Sequence, residues 1–239
     1  MADDLIESEE YSLERHVARA TRQLTSEPTL QDTLDRTVEL AVEMIEGCDA
    51  AGISMVERAG KIDTPAASDQ LARRGDELQY ELGEGPCLDA IRESEMISTP
   101  DLADDPRWRT WGERAVSELG VGSMLCLQLY TSDTTHGALN LYSRERDGLR
   151  ADVHPVASTL AALAAAAYEN ARTTDQLRSA IHTRTIIGQA QGIVMERFNV
   201  SASQAFSILS RLSQESNTKL VEVARRIADD RMLPAPTDR

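Results

Sequence analysis

The stretch that decides how this chain is organised runs from Thr185 to Ile227: TIIGQAQGIVMERFNVSASQAFSILSRLSQESNTKLVEVARRI. Its apolar residues recur at helical spacing, and residues that favour turns or helix caps interrupt them twice. This pattern predicts three short consecutive helices. Because only about a dozen apolar residues would form their core, we expect the first helix to gain stability from the helix before it.

Capping residues predict where these helices begin and end. Asn199 suits the turn after the first helix, and Ser201 with Gln204 forms a capping box at the start of the second. The third is predicted to start near Ser216 or Asn217. The core faces are predicted to hold the apolar residues of one stripe on each helix: Ile186, Ile187, Ala190, Ile193 and Val194, then Ala205, Phe206, Ile208, Leu209 and Leu212, then Leu220, Val223, Ala224 and Ile227.

Polar side chains cluster where the second and third helices meet. Ser213, Gln214, Asn217 and Lys219 supply hydroxyl, amide and ammonium groups together. Base edges need donors and acceptors side by side, and phosphates need cations, so this mixture favours a nucleic-acid reader. A helical dimerisation cap without any ligand is the alternative.

The charge of the chain is divided unevenly. The whole sequence carries 25 Lys and Arg against 40 Asp and Glu, a formal net charge of −15. From Arg172 to Arg239 there are ten basic and seven acidic residues, a balance of +3, which leaves −18 for residues 1–171. Any contact with a phosphate backbone therefore belongs to the C-terminal part.

A long helix is predicted to open at Asp152. Apolar and small residues alternate there by four and three, which is the a/d pattern of a coiled coil: Val156, Leu160, Leu163, Ala167, Asn170, Thr174, Leu177 and Ile181. An inner asparagine such as Asn170 favours a parallel two-stranded pairing in one register. The alternative is a single helix that packs back on the preceding domain.

Residues 13–151 precede this helix and mix helices with strands. Helical patterns cover Leu13–Gln23 and the stretch from Leu30 to Ile45, and Gly47 fits a left-handed cap. Strands are predicted at Ala50–Val56, Ile62–Ala67, Glu95–Thr99, Ser123–Tyr130 and Gly137–Tyr142, with turns at Ala59–Lys61 and Thr131–His136 and helices at Asp69–Tyr80, from Pro86, and before Gly120. This order predicts an antiparallel sheet with flanking helices, an α+β domain.

The sequence offers little for catalysis or metal binding. Cys48, Cys87 and Cys126 are far apart, so we expect three reduced, buried thiols, and we expect Trp108 and Trp111 to be anchors of the core. The four histidines have no metal-ligand spacing. The acidic N-terminus has no apolar core of a signal peptide, and no apolar run could span a bilayer, so we expect a cytoplasmic protein.

The C-terminal stretch resembles the ANTAR domain, a family of RNA-binding transcription antiterminators. The resemblance spans about 45 residues and rests on Arg184, Ile187 to Met195, Ser201, Ala205, Phe206, Leu209, Ser213, Gln214, Asn217, Lys219, Leu220, Val223 and Ala224. Ser210 departs from it, because many members carry a second arginine there. In that family, dimers bind paired hairpins of leader transcripts and so prevent the terminator hairpin from forming.

The resemblance assigns roles within residues 184–230, which we call the C-terminal bundle. Arg184, Arg211 and Lys219 would bind phosphate or stack on bases. The uncharged residues would position or read unpaired loop bases: Gln189, Gln191, Ser213, Gln214 and Asn217. We expect no cofactor, no metal and no catalytic residue.

The front domain resembles a GAF domain of the kind that precedes ANTAR domains in actinobacteria. The residues that carry this are Gly83 to Cys87, Asp101, Leu102, Asp105 to Trp108, Gly120, Ser123 to Leu125, and Gly137 to Tyr142. GAF domains often bind small molecules, but no motif here names a ligand. The expected organisation is an acidic tail (1–12), a GAF-like domain (13–151), a coiled-coil linker (152–183), an ANTAR domain (184–230) and a C-terminal tail (231–239).

Three functions follow from these features. The first is a homodimeric, non-enzymatic regulator of transcription antitermination that binds leader RNA and has no membrane partner. The second is a DNA-binding regulator with a GAF sensor domain, since three short helices also carry helix-turn-helix motifs. The third is a thiol-based reductase centred on Cys87, which would need a resolving cysteine.

Overall fold

The computed structural model describes residues 15–57, 60–93, 95–131 and 134–230. Both predicted tails lie outside the described residues, as does Ala59 of the first predicted turn. The chain divides into two compact units, Met1–Arg172 and Thr173–Arg239.

The first unit alternates helices and strands in the order that the sequence predicts. A helix over residues 15–26 (α1) comes first. The following elements are α2 (Leu30–Met44), β1 (Ala50–Val56), β2 (Ile62–Ala67), α3 (Gln70–Leu82), α4 (Pro86–Glu93), β3 (Met96–Thr99), a 3₁₀ turn (Pro106–Trp108), α5 (Arg109–Arg114), a π-helical segment (Ala115–Leu119), β4 (Ser123–Thr131), β5 (Thr134–Ser143) and the first part of α6 (His154–Phe198).

The five strands form one antiparallel sheet in the order β2-β1-β5-β4-β3. Because successive side chains of a strand point to opposite faces, each face has its own partners. Leucines of β4 and β5 pack on one face with α1, α2 and the start of α6. Tyr142, Met124 and Cys126 pack on the other face with α3, α4 and both tryptophans. The predicted antiparallel α+β fold is confirmed.

The hairpin between β4 and β5 differs from the prediction. A turn from Thr131 to His136 is wrong, because Thr131 pairs with Thr134 and Tyr130 pairs with Thr135 in the ladder. His136 is only 6% exposed within β5. β-Branched threonines suit a strand despite their polarity, so the polar run predicted a turn longer than the interval between the two strands.

The second unit contains the end of α6 and two further helices, α7 (Ala202–Glu215) and α8 (Leu220–Asp230). Its core consists of eight buried residues that follow one stripe of each helix: Ile186, Ala190, Val194, Ala205, Leu209, Val223, Ala224 and Ile227. Asn199 has a positive φ of 48° after α6, as its predicted turn requires. Ser201 and Gln204 form the predicted capping box of α7.

Two predictions about the second unit are wrong. Phe206 is 45% exposed rather than part of the core. One residue adds about 100° of rotation, so Phe206 points away from the stripe of Ala205 and Leu209. The third helix begins at Leu220 rather than near Ser216 or Asn217, because those two residues form the turn that closes α7.

Helix α6 starts at His154, two residues after the predicted Asp152, and is continuous for 45 residues. The eight seam positions fall into two groups. Leu160 and Ala167 are buried in the core of the first unit, and Val156 and Leu163 pack against it. Leu177 and Ile181 are 60% and 65% exposed. Packing back on the domain therefore accounts for the first half of the seam and leaves the second half uncovered.

Two glycines inside helices test the packing around Tyr142. Adding a methyl group is expected to destabilise the protein at one glycine and not at the other. A Cβ at Gly75 in α3 would lie 2.8 Å from the buried Tyr142 ring, whereas a Cβ at Gly192 in α6 meets nothing within 4 Å. Alanine favours helix by up to about 1 kcal/mol over glycine, but overpacking costs about 1–3 kcal/mol. We expect Gly75→Ala to lower the melting temperature and Gly192→Ala to leave it unchanged or raise it. Equal shifts in thermal unfolding would contradict the packing around Tyr142.

Candidate nucleic-acid interface

The junction between α7 and α8 is a tight turn held by its own hydrogen bonds. Asn217 adopts a left-handed conformation with φ of 47°, which asparagine tolerates better than most residues. The N–H of Thr218 donates to Ser213 O at 3.1 Å, and the Ser213 hydroxyl donates to Thr218 O at 2.6 Å. Two predicted site residues, Ser213 and Asn217, therefore shape the turn itself.

This turn displays the other polar groups of the junction to solvent. The side chains of Gln214, Asn217 and Lys219 are exposed. Lys219 directly precedes α8, and its carbonyl accepts the N–H of Val223 at 3.2 Å. Its backbone is thus fixed by the helix start while its ammonium group stays in water. These three residues and Ser213 lie within seven positions of the chain, at the turn that joins α7 to α8.

Arg211 extends the same surface along α7. Its side chain is 70% exposed, and its Nε lies 3.9 Å from Glu215 Oε1, whose side chain is 63% exposed. Exposed ion pairs of this kind contribute about 0–1 kcal/mol. The guanidinium can therefore exchange this partner for a phosphate at little cost.

The predicted residues of α6 do not share one side of the helix. Arg184 and Gln189 are exposed, and a spacing of five residues places them roughly 140° apart. Gln191 lies on nearly the same side as Arg184, since seven residues make almost two turns. The Gln191 amide donates to Ala202 O at 2.6 Å, so it ties the end of α6 to the start of α7.

The exposed side of α7 also borders an open groove of about 490 Å³. Its lining combines hydroxyl, amide and guanidinium groups with two aliphatic side chains: Val200, Ser203, Gln204, Ser207, Ile208 and Arg211. Sequence patterns missed this groove because two of its six lining residues are serines, which alone indicate only a solvated helix face. The spacing of the lining residues by three to four positions was the available signal.

Sequence reasoning also left other exposed groups of the bundle without a role. Arg225 and Arg226 are exposed on α8 and add positive charge. Phe198 and Phe206 are 47% and 45% exposed. The helical period itself indicates this position, because Phe206 lies about 100° around α7 from Ala205 and so outside the core stripe.

The first unit contains a second polar cluster, buried between α3 and the sheet. Asp76 is fully buried and accepts hydrogen bonds from Tyr142 OH at 2.5 Å, Asn140 Nδ2 at 2.8 Å and Thr64 Oγ1 at 3.1 Å. These partners come from β5 and β2, so one carboxylate joins a helix to two strands. The Asn140 Oδ1 atom is buried without a hydrogen-bond partner.

Burial dominates the electrostatics of this cluster. Loss of hydration raises the pKa of Asp76 from 3.8 to about 6, although the hydrogen bonds from Tyr142, Thr64 and Asn140 oppose the shift. Gln79 continues the network, since its Nε2 donates to Tyr142 OH at 3.2 Å and its Oε1 accepts the Cys87 N–H at 2.8 Å.

Burial also makes the three cysteine thiols poor nucleophiles. All three are free and buried, as predicted. Loss of hydration raises the pKa of Cys87 to about 12, despite its position at the start of α4. A reactive thiol needs a low pKa and access to solvent. Trp108 and Trp111 are 3% and 0% exposed, which confirms them as core anchors.

Two further properties concern the described residues only. Among them, no group of three or more His, Cys, Asp or Glu side chains is arranged to hold a metal ion. None of the helices in these ranges has the length and apolar character needed to cross a membrane.

Comparison with known families agrees with both parts of the structure. A family model described as GAF domain matches residues 27–169, and one described as ANTAR domain matches residues 175–227. The first match covers more than half of the chain, so the chain belongs to the GAF domain family. GAF domains are sensors and ANTAR domains are RNA-binding antiterminator modules, so the chain is a regulator that carries both. A search of curated proteins finds no match.

Solved structures share the fold of the front domain. The GAF domain of a phosphoenolpyruvate-protein phosphotransferase from Coxiella burnetii is 18% identical, with 70% of this chain and 98% of that chain covered and a TM-score of 0.55. The corresponding Acinetobacter domain is 12% identical, with 69% and 97% covered and a TM-score of 0.52. Free methionine-R-sulfoxide reductase from Neisseria meningitidis is 15% identical, with 68% and 91% covered and a TM-score of 0.55. These identities support the fold alone.

The buried carboxyl group predicts a pH dependence of stability. The unfolded chain loses the Asp76 proton near its usual pKa of 3.8, whereas the folded chain keeps it up to about pH 6. Stability contributed by this group is therefore present below pH 4 and is lost as pH rises to 6, on the order of 2–3 kcal/mol. Asp76→Asn should remove this component when denaturant unfolding is measured between pH 4 and 7. Wild type and variant with the same pH profile would contradict the raised pKa.

Proposed function

We propose that the chain is a regulator of transcription antitermination, of the GAF–ANTAR type found in actinobacteria, whose C-terminal bundle binds hairpins of leader RNA as a dimer. The observation that carries this is the α7–α8 junction. A backbone-fixed turn there presents amide and ammonium groups to solvent within three helical turns of the exposed Arg211. The ANTAR match over residues 175–227 supports RNA as the partner.

Electrostatics confine the RNA contact to the bundle. Residues 1–171 carry a balance of −18 and would repel a phosphate backbone, whereas residues 172–239 carry +3. A balance of +3 is modest, so contacts to bases must add to those with phosphates. The polar residues of the junction suit this division of roles, because amides offer both donors and acceptors.

The uncovered half of the α6 seam supports a dimer. Leu177 and Ile181 are the two most exposed large apolar side chains in the described ranges. Burial in a parallel pairing with a second copy would stabilise each by about 1.5–3 kcal/mol. The exposed Asn170 of the same seam favours one register with two strands.

The proposed mechanism has three parts. Pairing along α6 sets two bundles side by side. Arg184, Arg211 and Lys219 bind phosphates or stack on bases, while Gln189, Gln191, Ser213, Gln214 and Asn217 position or read unpaired loop bases. Holding two adjacent hairpins in this way prevents the terminator hairpin from forming. The boundaries proposed for these functions are the ones predicted from the sequence, with the RNA contact within residues 184–230.

The front domain is proposed to supply regulation rather than catalysis. Its fold is that of a sensor domain, and a thiol mechanism has no support, because Cys87 is fully buried with a pKa of about 12. A small-molecule ligand of this domain is the proposed signal. DNA is the alternative partner.

Charge reversal at the junction tests RNA binding. Arg211→Glu with Lys219→Glu should abolish binding to a double-hairpin leader RNA, because two phosphate or base contacts become repulsive while neither side chain supports the core. The measurement is filter binding at fixed salt, with duplex DNA of the same length in parallel.

A matched control adds the same charge elsewhere. Arg92→Glu with Arg109→Glu changes two exposed arginines of the first unit. This variant should bind RNA within about threefold of the wild-type affinity, because only long-range, salt-screened repulsion acts on it. Equal loss in both double variants, or tighter binding of duplex DNA than of hairpins, would contradict the proposal.

A second pair of substitutions tests the dimer. Leu177→Glu with Ile181→Glu places two like charges in each strand of the seam and should give a monomer in sedimentation velocity. Gln176→Glu with Ser179→Glu adds the same charge to exposed positions on other sides of α6 and should leave the dimer intact. A wild-type protein that sediments as a monomer with and without RNA would refute the pairing.

A further inference from the structure

The aromatic residues of the bundle are distributed in an unusual way. The chain contains two phenylalanines, Phe198 and Phe206, and both lie in the second unit. They are 47% and 45% exposed, whereas Trp108 and Trp111 of the first unit are 3% and 0% exposed. Burying a phenylalanine stabilises a protein by about 1.5–3 kcal/mol. The bundle forgoes that gain at both positions and builds its core from aliphatic residues and alanines.

Phe206 shares one face of α7 with Ser213 of the proposed site. Residues three or four positions apart are neighbours on a helix, so Ser203 and Ser210 flank the Phe206 ring, and Ser213 lies two turns along the helix from it. These side chains are too short to cover an aromatic face. Gln214 is about 80° away around the axis, toward the side that carries Arg211.

An aromatic ring in this setting has a specific chemistry. Flat rings flanked by hydroxyl and amide groups accept unpaired bases, which stack on the ring while their edges find hydrogen-bond partners. Exposed guanidinium and ammonium groups nearby neutralise the phosphates of the same nucleotides. The serine in place of a larger side chain at position 210 leaves the approach to the ring open.

A second copy of this chain is a poor alternative occupant. A phenylalanine buries about 150–250 Å² when fully covered, so the exposed part of Phe206 offers only about 100 Å². Stable protein interfaces bury more than about 1,000 Å² in total. The side chains around this ring are polar, and the apolar seam suited to a second copy lies on α6 instead.

We propose that Phe206 is a stacking platform for an unpaired base of an RNA hairpin loop, a contact that rests on the RNA-binding function proposed above. The ring supplies sequence-tolerant affinity for the unpaired nucleotide, and the hydroxyl groups of Ser203 and Ser210 beside it offer hydrogen-bond partners to that nucleotide's edge. Arg211 and Lys219 bind the backbone of neighbouring nucleotides. Recognition then depends on the loop being single-stranded rather than on the stem.

The test combines protein variants with RNA variants in one double-mutant cycle. Phe206→Leu should weaken binding to a double-hairpin RNA by roughly 5- to 150-fold, the equivalent of ~1–3 kcal/mol per stacked base. Phe206→Trp should restore affinity, because it keeps an aromatic face. On RNA with abasic sites in place of the loop bases, wild type and Phe206→Leu should bind equally, since the stacking partner is gone.

The controls separate this contact from folding and from RNA binding in general. Melting temperature and sedimentation of each variant should equal those of wild type, because the ring lies outside the core. If Phe206→Leu binds intact RNA with wild-type affinity, the stacking role is overturned while the RNA-binding function stands. The same holds if this variant loses as much affinity for abasic RNA as for intact RNA. A wild-type protein that binds no hairpin overturns both.

Discussion

The close packing of α6, α7 and α8 through small side chains is the constraint on which the rest of the bundle depends. Ala190, Ala205 and Ala224 are fully buried at the contacts, beside Val194, Leu209 and Ile227. Short side chains let helices approach closely and fix their rotation. Once that rotation is fixed, the residues of the bundle that lie away from the core stripe and its partly buried flanks are directed toward solvent. The polar junction, the serine face of α7 and both phenylalanines are exposed for this reason.

The front domain differs from the bundle, because its polar network is buried between α3 and the sheet. Asp76 joins α3 to β2 and β5 by three hydrogen bonds, and Gln79 links the same helix to α4. Buried polar groups are costly unless every partner is in place. Breaking any of these bonds would leave a buried polar group without its partner, so together they fix α3 on the sheet.

Local patterns predicted much of the fold. The bounds of β1 and β2, the capping box at Ser201 and the turn at Asn199 agree with the structure because adjacent residues determine them. Predictions failed where tertiary packing decides. Asn217 closes α7 instead of opening α8, threonines continue the β4–β5 ladder, and the α6 seam divides between an intramolecular core and solvent. For the site, residue types indicated the junction, but the hydrogen bonds of Ser213 to Thr218 and of Gln191 to Ala202 depend on how the helices pack.

Ultraviolet cross-linking of the full chain to a double-hairpin leader RNA, with the linked peptides identified by mass spectrometry, tests the central claim most directly. The account predicts cross-links to peptides within residues 184–230, concentrated between Ser203 and Lys219, and to loop nucleotides of both hairpins. Cross-links confined to residues 15–172, or to the stems alone, would contradict it.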